Sequence, residues 1–190
     1  MKVKILLSVF LVFLLSLLSF SQVASRGREY NWRFSLEQPT PSETLSYSDA
    51  FIKISFYFGG NIIAFDIQNK TDSGIKIIWD DLSIIYPSGT SSRVIRYKNK
   101  PMDKNSSQAP TVIPPNAKVE DFLVPLENID YNKLDEHGNL DGIYIPPLFG
   151  GDDILKWNNK DFRIYFPLEI KGGKKEYTFK FKIHLSEIIK

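Results

Sequence analysis

The chain has 190 residues, room for one domain. Charged residues make up 24% and hydrophobic ones 43%, which excludes a disordered chain, and a formal charge of +2 lacks the basic field of a nucleic-acid binder. Cysteine is absent, which excludes disulfides, thiolate metal sites, cysteine nucleophiles and the lipidated cysteine of a bacterial lipoprotein.

The first element is an address. Lys2 and Lys4 precede an apolar run from Ile5 to Phe20 of 16 residues, shorter than the roughly 20 that span a bilayer. Residues 1–25 read as a secretory signal, with cleavage after Ser21 or after Ser25. Left uncleaved, this segment is the one membrane contact the sequence offers. Its removal lowers the basic count from 24 to 22, level with the 22 acidic residues. The chain is therefore expected to be exported, periplasmic or extracellular, with residues 26–190 as a single domain.

Beyond the signal the dominant period is two. Tyr30 to Leu36, around Trp32, reads as a first strand or arm. Ile52, Ile54, Phe56 and Phe58 share one face; Gly59-Gly60-Asn61 turns the chain, and Ile63, Phe65 and Ile67 share a face again, giving a hairpin. Ile75 to Trp79 and Leu82 to Tyr86 are further strand material, and Asp80-Asp81 between them predicts a bulge or a change of sheet. Trp79, at the end of an apolar run, is expected in the core. Arg93 to Tyr97 is a short strand and Lys98 to Ala109 a loop. Pro114-Pro115 removes ladder donors after Val112 and predicts an edge. Val119 to Pro125 is strand. Residues 127–160 form an irregular insertion, with a helical turn expected at Ile154 to Trp157. The last two strands are the clearest: Phe162 to Ile170 and Tyr177 to Leu185 alternate strictly, with Gly172-Gly173 as the turn and Pro167 hinting at an edge. The expected fold is all-β, an antiparallel immunoglobulin-like β-sandwich.

Chemistry is sparse. Asp80, Asp81, Asp152 and Asp153 could supply paired carboxylates for acid–base work on a sugar, but strand neighbours point to opposite faces, so turn pairs are the competing reading. His184 lies on the polar face of the last strand beside Lys180 and Lys182, as a solvated position would. The loop 135–142, containing His137, alternates oxygen ligands as a Ca²⁺ site does, without the EF-hand pattern, and equally suits a polar turn. Tyr131, Tyr144, Phe149 and Trp157 could stack on a ligand or cap the core. Asn69 and Asn105 begin glycosylation acceptor triplets. No nucleophile elbow or phosphate loop occurs, so no catalytic residue and no cofactor are assigned.

Asn69-Lys70-Thr71, Ile75 to Ser83, Pro87-Ser88-Gly89, Arg93-Val94-Ile95 and Pro110 to Pro115 form an ordered series. Over positions 60–126 this resembles a group of exported bacterial proteins of unassigned function, often lipoproteins, with immunoglobulin-like sandwiches. The resemblance implies an envelope protein and brings no catalytic residues. The expected function is a non-enzymatic module that binds another envelope or extracellular component, with an envelope protein or glycan as the expected partner. A carbohydrate-acting or carbohydrate-binding protein, and a Ca²⁺-binding module, are the alternatives.

Overall fold

The structure, a computed structural model, describes residues 22–25, 28–59, 62–96, 106–129, 148–149 and 154–187. Among these, twelve strands pair antiparallel. They are β1 (Gln22–Ser25), β2 (Arg28–Gln38), β3 (Ser46–Ser48), β4 (Ile52–Phe58), β5 (Ile63–Asn69), β6 (Ile75–Ile77), β7 (Ser83–Ile85), β8 (Ser91–Arg96), β9 (Thr111–Ile113), β10 (Lys118–Pro125), β11 (Asp161–Ile170) and β12 (Gly173–Glu187). Hydrogen bonds connect them in the order β1-β2-β12-β11-β7-β8-β10-β5-β4-β3, with β6 on β11 and β9 outside β6. Three 3-10 turns, at Trp79–Asp81, Leu126–Asn128 and Ile154–Trp157, complete the regular structure of the described residues.

The sheet turns through β8. Ser91–Arg93 pairs with β7, and Val94–Arg96 pairs with β10. One short strand thus belongs to two ladders of one continuous antiparallel sheet. The apolar phases of β4 and β5 meet those of β11 and β12: Phe56 lies 4.9 Å from Phe179 and 5.1 Å from Phe181, and Phe65 lies 5.2 Å from Phe166, ring centre to ring centre. Edge-to-face geometry dominates these pairs, which adds about 0.5–1.5 kcal/mol each beyond area burial. Ile52, Ile54, Ile63, Ile67, Ile164 and Leu168 fill the space between the rings and are fully buried.

Pro167 does not mark an edge. β11 is an interior strand, with β12 on one side and both β6 and β7 on the other. β7 covers Arg163–Tyr165 and β6 covers Leu168–Ile170, so Phe166 and Pro167 fall opposite the gap between them. A proline costs no ladder bond where the partner strand is interrupted. Its carbonyl still accepts from Ile78 N at 3.3 Å. The interruption is the 3-10 turn at Trp79–Asp81, where a bulge or change of sheet was expected; β6 and β7 are the two halves of a broken neighbour.

The last hairpin also differs in its turn. Ile170 pairs with Gly173, so the two turn residues are Lys171 and Gly172, not the glycine pair. Both have positive φ, 51° and 77°. A two-residue hairpin that follows the sheet's right-handed twist requires that at both positions. Lys171 accepts the strained conformation because the long ladder on either side dictates it. At the other end of the chain, Gln22–Ser25 pairs with Arg28–Asn31, inside the segment assigned to the signal by the 1–25 boundary. Most of the insertion 127–160 lies outside the described residues. Leu148, Phe149 and Ile154 from it are buried in the core.

Candidate functional site

The acidic pair is pulled apart by the 3-10 turn that carries it. Asp80 Oδ1 accepts from the Arg93 guanidinium and from Gln108 N at 2.9 Å, while the Ser107 hydroxyl donates to Oδ2. Burial pushes the Asp80 carboxyl up, but these hydrogen bonds outweigh it and hold the group below the usual carboxylate range. Asp81 turns the other way, 2.9 Å from Lys174 Nζ on β12. The two carboxylates are held by different partners and do not form a pair. Asp80 instead fastens the loop before β9 to the start of β8. Gln108 extends the clasp: its side chain donates to Val94 O at 2.9 Å and accepts from Arg96 N at 3.0 Å. Arg96 then pairs with the buried Asp121 and lies 5.9 Å from the centre of the Trp79 ring. Trp79 is fully buried and donates to Thr111 Oγ1 at 2.8 Å. Asp152 and Asp153 lie outside the described residues.

His184 is half-buried on the outer face of β12, opposite Arg33 of β2. Its Nε2 lies 2.9 Å from Ser35 Oγ, and Ser35 donates to Glu37 Oε1 at 2.9 Å. A hydroxyl has one proton, and here it is donated to the Glu37 carboxylate, which can only accept. A nucleophilic serine needs the opposite polarity, with the histidine accepting. The shallow cavity beside it is lined by Arg33, Glu43, His184, Leu185 and Ser186.

The loop 135–142 with His137, and Tyr131, Tyr144 and Asn105, lie outside the described residues. Among the described residues no three His, Asp or Glu side chains converge as metal ligands. Phe149 packs 4.9 Å from Phe162 and 5.8 Å from Trp157, closing one end of the core. Asn69 is not available as a glycan acceptor in the folded chain. It is fully buried, and its amide nitrogen donates to Ser73 O at 2.7 Å, Ile113 O at 3.0 Å and Pro114 O at 3.0 Å. Its Oδ1 accepts from Thr71 N at 2.8 Å and Thr71 Oγ1 at 2.7 Å. The residue is a lock between the end of β5 and the end of β9.

A surface not singled out by motif is formed by β10, β5 and β4. Tyr57 and Phe122 occupy outward positions, in phase with Lys53 and with Lys118 and Glu120, and both are exposed. Tyr57 donates to Asp66 Oδ2 at 2.7 Å, a bond that raises the phenol above its ordinary value, with help from desolvation. Lys118 Nζ sits 2.9 Å from Glu120 and 3.6 Å from Asp66. The sequence signal was present: an aromatic in the polar phase of each alternation. No family profile, curated protein or solved structure matches the chain.

Proposed function

We propose that this is an exported, non-enzymatic module, an immunoglobulin-like β-sandwich by architecture, that binds another component of the cell envelope. The observation that carries the binding reading is the state of the acidic candidates. Asp80 is held by Arg93, Ser107 and Gln108, and Asp81 by Lys174, so both are spent on holding the fold. The sandwich reading is supported by the ring contacts between β4–β5 and β11–β12, which are those of two packed sheet faces. Export is supported by the residues of the leader, and the resemblance to exported bacterial proteins points the same way. Pairing of Gln22–Ser25 with β2 favours cleavage after Ser21, which leaves β1 intact.

Expression of the full chain in a bacterial host, followed by fractionation and intact-mass measurement, tests this reading. The expected product begins at Gln22, leaves the cytoplasm and sediments with washed envelopes, and Asp80→Asn and Asp81→Asn variants that remain folded sediment equally. Retention of the full mass in the cytoplasm, or a processed protein that never sediments, would overturn it.

A further inference from the structure

The cavity between β2 and the end of β12 has a volume of 230 Å³ and is lined by Arg33, Glu43, His184, Leu185 and Ser186. Arg33 is the register partner of His184, and Ser186, two residues on, pairs with Asn31. Glu43 is placed from the other side of β2. It follows Ser42, whose N–H donates to Leu36 O at 2.9 Å and whose carbonyl accepts from Leu36 N at 3.0 Å. The His184 ring is held by the buried Ser35, with Nε2 2.9 Å from the hydroxyl. Glu37, two residues beyond Ser35, already accepts from that hydroxyl. Arg33 and Glu43 differ. Both are exposed, and among the described residues neither side chain has an ion-pair or hydrogen-bond partner.

The geometry points to a site for a small zwitterion of the α-amino acid type, with its carboxylate on Arg33 and its ammonium on Glu43. This goes beyond the envelope-module reading and does not depend on it. Two opposite charges that line one cavity without pairing are complementary to a ligand that carries both signs. An anion alone gains from Arg33 and is repelled by Glu43, and a cation alone meets the reverse. The planar fork of an arginine matches a carboxylate with two parallel hydrogen bonds. A carboxylate in turn accepts the protons of an ammonium group. A metal ion is a poor fit, because among the described residues no three His, Asp or Glu side chains converge. Size limits the ligand further. Water occupies about 30 Å³ per molecule in the liquid, so 230 Å³ holds about eight waters. That is below the roughly 300–1,000 Å³ of pockets that take drug-sized ligands. An amino acid or a dipeptide suits it, with Leu185 as an apolar wall and Ser186 as a further hydrogen-bonding group.

The test titrates glycine, L-alanine and glycylglycine into the purified chain near neutral pH and follows amide chemical shifts. Acetate and methylammonium serve as probes of a single charge. At least one zwitterion is expected to bind with a Kd of about 1 mM, with shifts centred on residues 33, 43, 184 and 186. Both single-charge probes should bind about tenfold more weakly or worse. Binding of glycine or alanine assigns a free amino acid, and binding of glycylglycine alone assigns a peptide. Arg33→Gln and Glu43→Gln change exposed side chains, so the unfolding midpoint should stay within a few degrees. Each should weaken the zwitterion about tenfold or more. Glu43→Gln should also let acetate bind about as tightly as the zwitterion does, a change that lost packing would not produce. Silence from all three zwitterions at about 20 mM, shifts centred elsewhere, acetate binding the parent chain as tightly as the zwitterion, or undiminished affinity in either variant would overturn the site. A chain that sediments with envelopes but ignores all three zwitterions loses only this site, whereas one that never sediments loses only the module reading.

Discussion

Replacing Asn69 by alanine removes both ends of the lock between β5 and β9. Two amide hydrogens serve three carbonyls, and two of those carbonyls have another donor at hand: Pro114 O still accepts from Ala117 N at 3.2 Å, and Ser73 O can take the Thr71 hydroxyl proton, 2.8 Å away and released from Asn69 Oδ1. The loss therefore falls on Ile113 O and on the Thr71 N–H. A buried polar group left without its partner costs about 1–3 kcal/mol, so two of them amount to about 3–4 kcal/mol once the freed turn is included. For a domain of this size that lowers the melting temperature by about 10 °C, a large part of a total stability of about 5–15 kcal/mol. Urea unfolding followed by circular dichroism measures it directly. Asn69→Asp is the sharper companion. It keeps the volume but loses both donor hydrogens and sets a negative charge against three carbonyls. It should be at least as unstable as the alanine variant near pH 7, and recover part of the loss below about pH 4, where the acid is protonated and regains a donor. A loss under about 1 kcal/mol for Asn69→Ala would refute the reasoning, because water would then be replacing the amide without penalty.

Other outcomes follow from the same geometry. The depressed Asp80 carboxyl contributes stability that is fully present above its ordinary value of 3.8 and lost as pH falls through the lower folded-state value. Asp80→Asn should therefore destabilise at pH 7 by about 1 kcal/mol, and the gap from the parent chain should close in acid, as unfolding midpoints between pH 7 and pH ~2 would show. Lys171→Gly relieves a left-handed residue at φ 51° and should stabilise by about 0.5–1 kcal/mol; its ion pair with Asp72 is too exposed to offset that. Phe181→Ala, which empties the space between Phe56, Phe58 and Phe162, should cost about 3–5 kcal/mol by chemical denaturation.

The alternation of Phe162 to Ile170 against Tyr177 to Leu185 made β11 and β12 legible, because each strand has one buried face and the period of two survives in the letters. The core tryptophan at position 79 was legible because it ends an apolar run. Pro167 misled because a proline reports a missing donor, not the reason the donor is dispensable; that reason is a gap in another strand some ninety residues away in sequence. Asn69 begins an acceptor triplet in the letters, but its three carbonyl partners come from two separate turns, and no local pattern announces them. The glycine pair points to a turn at 172–173, whereas the conformational demand falls on positions 171 and 172. The outward places of Tyr57 and Phe122 are legible in the alternation, whereas only the register shows that both are paired with one alanine, Ala64.

The order in which strands neighbour one another differs from the order in which they are made. β2, near the start of the chain, has its longest partner in β12, the last strand, and β11 beside it carries β6 and β7. During synthesis, residues 28–159 emerge with most of their apolar faces uncovered, and the two strands that cover them arrive last. Such distant pairings close slowly. The cover that β11 and β12 give the apolar faces of β4 and β5 therefore comes late in synthesis. A nascent chain stalled before residue 160 should be digested readily by protease, and one released after residue 187 should resist.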